Sequence, residues 1–439
     1  MRILLVQTIL GRREKALYPL GLAYLKAALG DHEVEVLDPN LSPDPDEAVR
    51  STVRRVRPHV IGVSLRNIDT THVYDKFSYL DSFGDQLRLL RDEAPDALIV
   101  AGGAGFSVFP EALMRRFPLI DCGIRFEGEA ALPALLEHLD DPGAVPGVFV
   151  RDADGRVKLG TPRVPADLSQ VLAPDRVAIP MQPYLGQSYT VGIQTKRGCV
   201  FDCLYCIYPM LEGSHSVRLH DLDRVVDEVE RVMAAGVREF YFVDQVFNYP
   251  RDHALAVCEA LIRRGLKPTW RAFFTEAQID DELVSACVRA GCRMFEFSPD
   301  GICDESLRAL GKPYTFDDIR RAYAVIDRYP EARLKISFMM GAPGERTRDL
   351  LKLARFLAEE SVRRRYRFFS TVEVMRIYPG TPLHQLALER GVVTPDEDLL
   401  EPRFFKNPGM DLVRMPLDLG YKAVLAALRI TGQRTKIPF

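Results

Sequence analysis

The stretch KRGCVFDCLYCIYP, residues 196–209, places Cys199, Cys203 and Cys206 close together, with a glycine before the first cysteine. Three thiols at this spacing can form one disulfide with a thiol left over, ligate a metal, or fill a core. The choice among these three decides the fold class of the part of the chain that contains them.

Composition makes the disulfide the weakest of the three interpretations. The 439-residue chain is 47% hydrophobic and 27% charged, with a net charge of -3 and a pI near 6.3, which favours two or three globular domains and gives no reason to expect nucleic acid. No run approaches the ~20 apolar residues of a membrane span, and the opening MRILLVQTIL predicts a strand rather than a signal peptide. We therefore expect a cytoplasmic protein without a membrane partner, in which thiols stay reduced.

Metal ligation is the interpretation that the cysteine spacing favours. A zinc site would need a fourth protein ligand, and the nearest candidates, His215 and His220, have no recognisable zinc spacing. Three thiolates on a four-iron cluster leave one iron open for a substrate or cofactor. The remaining cysteines stand singly in apparent helices and strands and are interpreted as small buried residues.

The segment GCVFDCLYC resembles the signature of radical S-adenosylmethionine (SAM) enzymes, including the aromatic Tyr205 before the last cysteine. The resemblance implies that Cys199, Cys203 and Cys206 hold a [4Fe–4S] cluster whose fourth iron chelates the amino and carboxylate groups of SAM. Tyr205 is carried over as a cofactor-binding residue.

Apolar strands alternate with amphipathic helices after the cysteine loop, as in DLDRVVDEVERVMAAGV followed by REFYFVDQVFN. Such alternation implies parallel pairing with right-handed crossovers, and chemistry at the carboxyl ends of the strands. We predict a partial (β/α)6 barrel over residues 188–380.

The same resemblance implies further SAM contacts at the strand ends. Asp244 and Gln245 would meet the SAM amino group, although a carboxylate at a strand end also serves to cap the next helix. Gly341, in GAPGE, would lie beside the adenine unless it only forms an ordinary turn, and Arg376 would reach the SAM carboxylate unless it is simply solvated. Two residues of EFSPDG would bind the SAM ribose hydroxyls: Glu296 and Ser298.

Residues 1–145 show a different alternation of short apolar strands and helices, which predicts a doubly wound, Rossmann-like parallel sheet with its ligand at the strands' carboxyl ends. The segment GGAGF is not a full G-x-G-x-x-G fingerprint, so a dinucleotide site is only weakly indicated. Residues 146–187, which contain a D-G turn and many prolines, predict a hairpin followed by an extended linker.

Placed before a radical SAM core, this half resembles the cobalamin-binding domain of cobalamin-dependent radical SAM enzymes, through PLGLAYLKAAL, GVSLRNID, AGGAGFSVFPE and FEGEAALPALL. The resemblance implies a cobalamin site, with small residues that let the backbone approach the corrin or its nucleotide tail. The alternative for the glycines is a degenerate turn at the sheet edge. The candidate cobalamin contacts are Ser64, Arg66, Asn67, Gly102, Gly103, Gly105, Glu127 and Gly128.

Arg66 is also the candidate catalytic residue. The Asp-x-His-x-x-Gly sequence that gives cobalt a histidine in many cobalamin proteins is missing here. Arg66 resembles an arginine that lies beneath cobalt in a tryptophan-methylating member of the family, where it disfavours a lower axial ligand and eases methyl departure. Its alternative is an ordinary ion pair with Asp69 or Asp38.

The resemblance implies a C-methyltransferase that moves a methyl group from SAM, via methylcobalamin, to an unidentified carbon of a small-molecule or natural-product substrate. Two alternatives stay open: cyclisation, ring rearrangement or oxidation without methyl transfer, and a non-catalytic cobalamin sensor. We expect a monomer that receives electrons from a flavodoxin or ferredoxin. Residues 381–439 are predicted to close the barrel mouth and help select the substrate.

Overall fold

The structure is a computed structural model that describes residues 1–407 except 12–14, 74–75, 153, 164, 186–188, 214 and 406. Most of the segment 381–439, which is predicted to close the barrel mouth, lies outside the described residues. The strands of the first sheet are β1 (Arg2–Gln7), β2 (Glu33–Leu37), β3 (Val60–Ser64), β4 (Leu98–Gly102), β5 (Cys122–Ile124), β6 (Val148–Arg151) and β7 (Val157–Leu159).

This sheet has the order β2-β1-β3-β4-β5-β6-β7, with β1 to β5 parallel and β6 and β7 added antiparallel. The first five strands have the predicted doubly wound arrangement, whose ligand position is at the carboxyl ends of the strands. The hairpin predicted after residue 145 is β6–β7, and it pairs with β5 rather than standing apart. The sheet therefore continues past the predicted boundary at residue 145.

Helices cover both faces of the first sheet. In β1, Ile3 and Leu5 pack on one side with α1 and α6, whereas Leu4 and Val6 pack on the other side with α2 and α3. This explains why β1 is an unbroken apolar run, since a parallel strand is buried on both faces. These helices are α1 (Leu20–Ala28), α2 (Pro45–Val56), α3 (Leu80–Glu93), α4 (Ala104–Val108), α5 (Pro110–Arg116) and α6 (Gly128–Glu137).

The second half contains a parallel sheet of six strands in the order β15-β14-β13-β12-β11-β8, and a short antiparallel pair, β9–β10, beside the cysteine loop. The predicted α/β class and six-repeat partial barrel are confirmed. The strands are β8 (Val191–Ile193), β9 (Lys196–Arg197), β10 (Arg218–Leu219), β11 (Glu239–Phe242), β12 (Thr269–Phe274), β13 (Cys292–Asp300), β14 (Arg333–Met340) and β15 (Phe368–Val374).

The helices that join these strands follow local capping signals. The Asp221 side chain accepts a hydrogen bond from the Arg224 N–H at 3.1 Å and so begins α8. Within the described residues, no helix has both the length and the apolar character that a membrane span requires. The remaining helices are α7 (Tyr208–Glu212), α8 (Leu222–Ala234), α9 (Arg251–Arg263), α10 (Asp281–Arg289), α11 (Asp304–Ala309), α12 (Phe316–Ile326), α13 (Thr347–Arg364) and α14 (Pro382–Glu389).

One apolar core runs from the first sheet into the barrel. Tyr18 and Tyr184 pack edge to face with 5.4 Å between ring centroids, and the Tyr18 N–H donates to the Thr190 carbonyl at 3.1 Å, directly before β8. The two sheets therefore have a shared hydrophobic support beneath their carboxyl ends.

Candidate functional site

The cysteine loop follows β9 through Gly198, whose φ is +99°. A Cβ at this glycine would lie 2.0 Å from the Ser216 carbonyl oxygen, so β10 leaves no room for a side chain there. Within the loop, the Cys206 N–H donates to the Cys203 carbonyl at 2.9 Å. The loop enters the site in one backbone conformation that only glycine allows.

Cys199, Cys203 and Cys206 are free, half-buried thiols near one another. Burial raises the pKa of Cys206 to about 12, with further increases from Cys203 and Cys199, so the thiols need a cationic partner to ionise. Among the described residues, no group of three His, Cys, Asp or Glu side chains is already arranged to hold a metal ion. The chemistry of the three residues, an all-thiol set, suits a four-iron cluster.

The loop is fastened to the barrel through its backbone. The Leu204 N–H donates to the Leu310 carbonyl at 3.0 Å, and the Leu383 N–H donates to the Leu204 carbonyl at 2.8 Å. Gly311, with a φ of +73°, would place a Cβ 2.4 Å from the Asp202 carbonyl oxygen. The segment after α11 therefore packs directly on the loop.

Tyr205, the predicted cofactor-binding aromatic, points toward the end of β13. Its hydroxyl donates to Asp300, and the Lys312 ammonium donates to the same hydroxyl at 3.2 Å. Lys312 and Asp300 were not identified from the sequence, because their spacing matches no motif that we recognised.

The two residues at the end of β11 that are predicted to meet the SAM amino group lie in different environments. The Asp244 carboxylate is fully buried, lies 3.0 Å from the Lys196 ammonium and accepts from the Thr195 N–H at 2.8 Å. It does not cap the next helix, which begins after Pro250. Gln245 is half-buried, and its Nε2 lies 3.4 Å from Oε1 of Glu212. Asp244 thus supports the strand before the cysteine loop, while Gln245 faces the cavity side.

Glu296 and Ser298 also have protein partners. The buried Glu296 carboxylate lies 3.0 Å from the Arg271 guanidinium and 3.2 Å from the Lys335 ammonium. The Ser298 carbonyl accepts from Lys312 at 2.7 Å. Contacts of these two residues with the SAM ribose stay a prediction.

Gly341 begins the turn after β14 with a φ of +83°, and its N–H donates to Glu345 Oε2 at 2.6 Å. Arg376 is buried against the first half of the chain rather than directed into the barrel. Its Nη2 lies 2.7 Å from Asp69 Oδ2 and also donates to the Leu399 carbonyl at 3.1 Å. This differs from the predicted contact with the SAM carboxylate, because burial beside Asp69 gives Arg376 a protein carboxylate instead.

A cavity of about 330 Å³ lies at the carboxyl ends of β3, β4 and β5, between α1 and α6. Small residues leave this space open. A Cβ added at Gly21 in α1 would have no protein atom within 4 Å. The position is where doubly wound sheets bind ligands, so the lining suits a cobalamin-type group. The predicted residues that line it are Ser64, Gly102, Gly103, Glu127 and Gly128.

Three predicted contacts, Arg66, Asn67 and Gly105, are not part of the cavity lining. A Cβ at Gly105 would lie 3.0 Å from the Leu65 carbonyl oxygen and 3.1 Å from the Asn67 carbonyl carbon, so this glycine lets α4 approach the segment after β3. Its observed contacts are therefore structural.

Three further residues line the cavity and were not predicted from the sequence: Gly21, Tyr24 and Tyr208. A glycine within the apolar helix PLGLAYL was the available signal for the first of these. Tyr208 begins α7, two residues after Cys206, and lines the cavity from the second half of the chain.

Glu127 is the centre of a buried charge network. Its carboxylate lies 3.0 Å from Arg163, 2.8 Å from Arg197 and 2.9 Å from Arg218. Burial opposes ionisation, but these arginines outweigh it and lower the pKa of Glu127 to about 2. Arg197 is the residue before Gly198, so the network joins the start of α6 to the cysteine loop.

Asp69 and Asp38 are the two carboxylates predicted as alternative partners of Arg66, and each has contacts with other residues. Asp69 is ion-paired with Arg376, and Asp38 accepts hydrogen bonds from Tyr184 at 2.8 Å and from Asn40. Arg66 is half-buried just after β3 and is close enough to Tyr208 to oppose the increase in that phenol's pKa.

Comparison with known proteins identifies both halves. The family model described as B12 binding domain matches residues 6–136, and the Radical SAM superfamily model matches residues 193–357. The chain belongs to the cobalamin-dependent radical SAM enzymes. The predicted family and its cofactors, a [4Fe–4S] cluster, SAM and cobalamin, are confirmed.

Similar proteins include methyltransferases. An uncharacterized methyltransferase of Pyrococcus horikoshii is 23% identical over 85% of this chain and 79% of its own length. The tryptophan 2-C-methyltransferase of Streptomyces laurentii is 26% identical over 74% of this chain and 65% of its own length, so this chain spans slightly less than two thirds of that enzyme.

A solved structure has the same fold. The radical SAM methyltransferase TsrM from Kitasatospora setae, with cobalamin and a [4Fe–4S] cluster bound, gives a TM-score of 0.77 at 24% identity over 93% of this chain and 82% of its own. The predicted enzyme class, a methyltransferase, agrees with the names of all three of these proteins.

Proposed function

We propose that this protein transfers a methyl group from SAM, through cobalamin, to a carbon atom of a small molecule. The observation that carries this proposal is that one cavity is lined from both halves of the chain. Ser64 and Gly102 line it from the strand ends of the B12-binding half, and Tyr208, at the start of the helix that follows Cys206, lines it from the radical SAM half. A methyl carrier and a SAM site that share one space can act on one substrate.

The chain's own residues bind and orient the reacting groups. Cys199, Cys203 and Cys206 would hold the cluster, and the glycines at the carboxyl end of β4 would receive cobalamin. The bound groups supply a methyl donor, a methyl carrier and a source of single electrons. The apolar lining excludes water from the space between them.

Arg66 is the residue that we place beneath the corrin. A guanidinium has no lone pair for a metal and keeps its charge at any accessible pH, so it would exclude an axial ligand and oppose positive charge on cobalt. Arg66 does not itself line the cavity. This role is supported by its position at the carboxyl end of β3, two residues after Ser64, which does line the cavity.

Electron paramagnetic resonance of bound cob(II)alamin tests the role of Arg66. We expect a four-coordinate signal in the unmodified protein and in Arg66→Lys, and a water-ligated signal in Arg66→Ala. Nitrogen superhyperfine splitting, or water ligation in the unmodified protein, would remove Arg66 from cobalt.

The finer assignments are part of the same proposal. We place the protein in the cytoplasm as a monomer that receives electrons from a flavodoxin or ferredoxin. The free state of the described cysteines supports a reducing compartment. We keep 1–145, 146–187, 188–380 and 381–439 as the functional divisions, with the β6–β7 hairpin attached to the first sheet.

Methyl-labelled SAM tests the reaction. Protein reconstituted anaerobically with iron, sulfide and cobalamin is given S-adenosyl-L-[methyl-D3]methionine, a low-potential reductant and the small-molecule extract of its source cells. We expect an extract component to gain the CD3 group on carbon. Consumption of SAM with an unlabelled new product would instead support cyclisation, rearrangement or oxidation, and binding without consumption of SAM would support a sensor.

A further inference from the structure

Lys312 has an unusual position for a lysine. Its side chain is only 6% exposed, and its ammonium lies 2.5 Å from Asp300 Oδ2, whose own side chain is 0% exposed. Lys312 follows Gly311, the residue that packs on the backbone of the cysteine loop. Burial removes water from the Lys312 ammonium, and contacts with protein atoms must offset this free-energy cost.

All three ammonium protons of Lys312 have a protein acceptor. One is directed to Asp300, one to the Tyr205 hydroxyl at 3.2 Å, and one to the Ser298 carbonyl at 2.7 Å. An ammonium has three donors, and these three protein acceptors can take all of them. The arrangement therefore differs from that of a lysine awaiting an anionic substrate.

These contacts fasten the cysteine loop to β13. Tyr205 lies between Cys203 and Cys206, while Ser298 and Asp300 belong to the last residues of β13. The Lys312 ammonium also lies 5.5 Å from the centre of the Tyr205 ring. One side chain thus contacts both the loop that carries the cluster ligands and the strand that faces it.

The charges of Lys312 and Asp300 lie beside the cysteine loop. Gly311, the residue before Lys312, would place a Cβ 3.5 Å from the Cα of Cys203, and the Tyr205 hydroxyl contacts both charged groups. A cation beside a cluster ligand favours the electron-richer form of the cluster, and an anion disfavours it.

We propose that Lys312 and Asp300 form a positioning pair that orders the cysteine loop and sets the reduction potential of the cluster, with the lysine raising it and the aspartate lowering it. The proposal rests on the cluster of the radical SAM half and not on the identity of the substrate. It predicts opposite effects for two neighbouring side chains, which a purely structural role would not produce.

The redox test uses reconstituted full-length protein without SAM. The reduced cluster is quantified by electron paramagnetic resonance at fixed solution potentials. We expect Lys312→Met to lower the reduced-to-oxidised ratio about tenfold, which corresponds to about 59 mV for one electron. Asp300→Asn should raise the ratio, and the double variant should lie between the two. Equal potentials in all these proteins would overturn the proposal.

A second readout needs no cluster. Hydrogen exchange of the Leu204 and Cys206 amides in iron-free protein should be faster in Lys312→Met. The matched control is Lys352→Met, because the Lys352 side chain is 53% exposed, although its partner Asp349 is buried. Unchanged exchange in Lys312→Met would contradict the positioning role.

SAM affinity separates the proposal from direct ligand binding. If Lys312→Met weakens SAM binding while cluster potential and loop exchange stay unchanged, Lys312 is a SAM ligand and the proposal fails. If Lys312→Met cannot retain iron, Asp300→Asn alone tests the proposal, because this variant must raise the reduction potential of the cluster.

Discussion

Asp69 and Arg376 join the two halves of the chain through a buried ion pair, with 2.7 Å between Oδ2 and Nη2 and about 2% of each side chain exposed. Asp69 follows β3 of the first sheet, and Arg376 follows β15 of the barrel. The pair therefore joins the segments that follow the carboxyl ends of β3 and β15. Tyr378 lies against the guanidinium, with 4.3 Å from Cζ to the ring centre.

Removal of Arg376 should destabilise the protein strongly. In Arg376→Met the Asp69 carboxylate would lose its cation, which costs about 3–5 kcal/mol for a buried pair. Burial already raises the pKa of Asp69 despite Arg376, so the variant should take up a proton at Asp69 and be least stable at high pH. Urea unfolding at pH 6 and pH 9 measures this.

The control is Arg355→Met, since Arg355 is 80% exposed and pairs with Glu359 on the surface. It should leave the free energy of unfolding nearly unchanged, because exposed ion pairs contribute little to stability. The double variant Asp69→Asn/Arg376→Met should recover part of the loss, because no buried charge remains. A double variant less stable than Arg376→Met would contradict the ion-pair explanation.

Glu127 should make the protein sensitive to acid. Its pKa falls from 4.5 to about 2 on folding, mainly through Arg218 and Arg197 against the cost of burial. A lowered carboxylate pKa contributes stability that is present above about pH 4.5 and is lost as pH falls toward 2; the shift corresponds to about 3 kcal/mol. Glu127→Gln should lose this amount at pH 7, measured by urea unfolding.

Glu129→Gln is the matched control for Glu127, because within the described residues Glu129 forms one ion pair, with Arg197 at 2.6 Å. Glu129→Gln should lower the free energy of unfolding by less than Glu127→Gln does. Between pH 5 and pH 3, the free energy of unfolding should change less in Glu127→Gln than in the unmodified protein. Equal acid sensitivity of the two proteins would show that other carboxylates control this transition.

The cysteine loop predicts a sharp difference among buried thiols. Cys199→Ala, Cys203→Ala and Cys206→Ala should each abolish the cluster and SAM cleavage, measured as iron and sulfide content after anaerobic reconstitution and as 5′-deoxyadenosine formed. The Cys258→Ala protein should still contain close to four irons per chain after reconstitution. Cys258 is fully buried, with its sulfur 3.7 Å from that of Cys287, so it is a suitable thiol control. Zinc in place of iron after anaerobic purification would contradict the cluster assignment.

The sequence predicted what depends on local pattern. The cysteine spacing and the strand-helix alternation each lie within a short window, so the fold and the kind of cofactor could be predicted from them. The partners of Arg376, Glu127 and Asp244 could not, because each pairs with a residue far away in the chain. A polar residue at a strand end looks the same in sequence whether it meets a ligand or an ion-pair partner.

Gly21 provides a test of the cavity that separates ligand binding from stability. It lies in α1 and lines the cavity, and a Cβ there would meet no protein atom within 4 Å. Gly21→Ala should therefore be tolerated and even stabilise the helix by up to about 1 kcal/mol. Gly21→Phe should fill part of the cavity and weaken cobalamin binding at least tenfold, with urea unfolding of the cobalamin-free protein nearly unchanged.

The control for Gly21 is Gly103→Ala in the same cavity wall. Gly103 has a φ of +96°, and its Cβ would lie 2.7 Å from the Leu65 carbonyl oxygen, so this small change should destabilise the cobalamin-free protein itself. The two glycines thus predict opposite results: lost binding with retained stability at Gly21, and lost stability at Gly103. Absorbance of bound cobalamin after gel filtration, together with urea unfolding, measures both. Full cobalamin binding by Gly21→Phe would show that the cofactor does not use the space between α1 and α6.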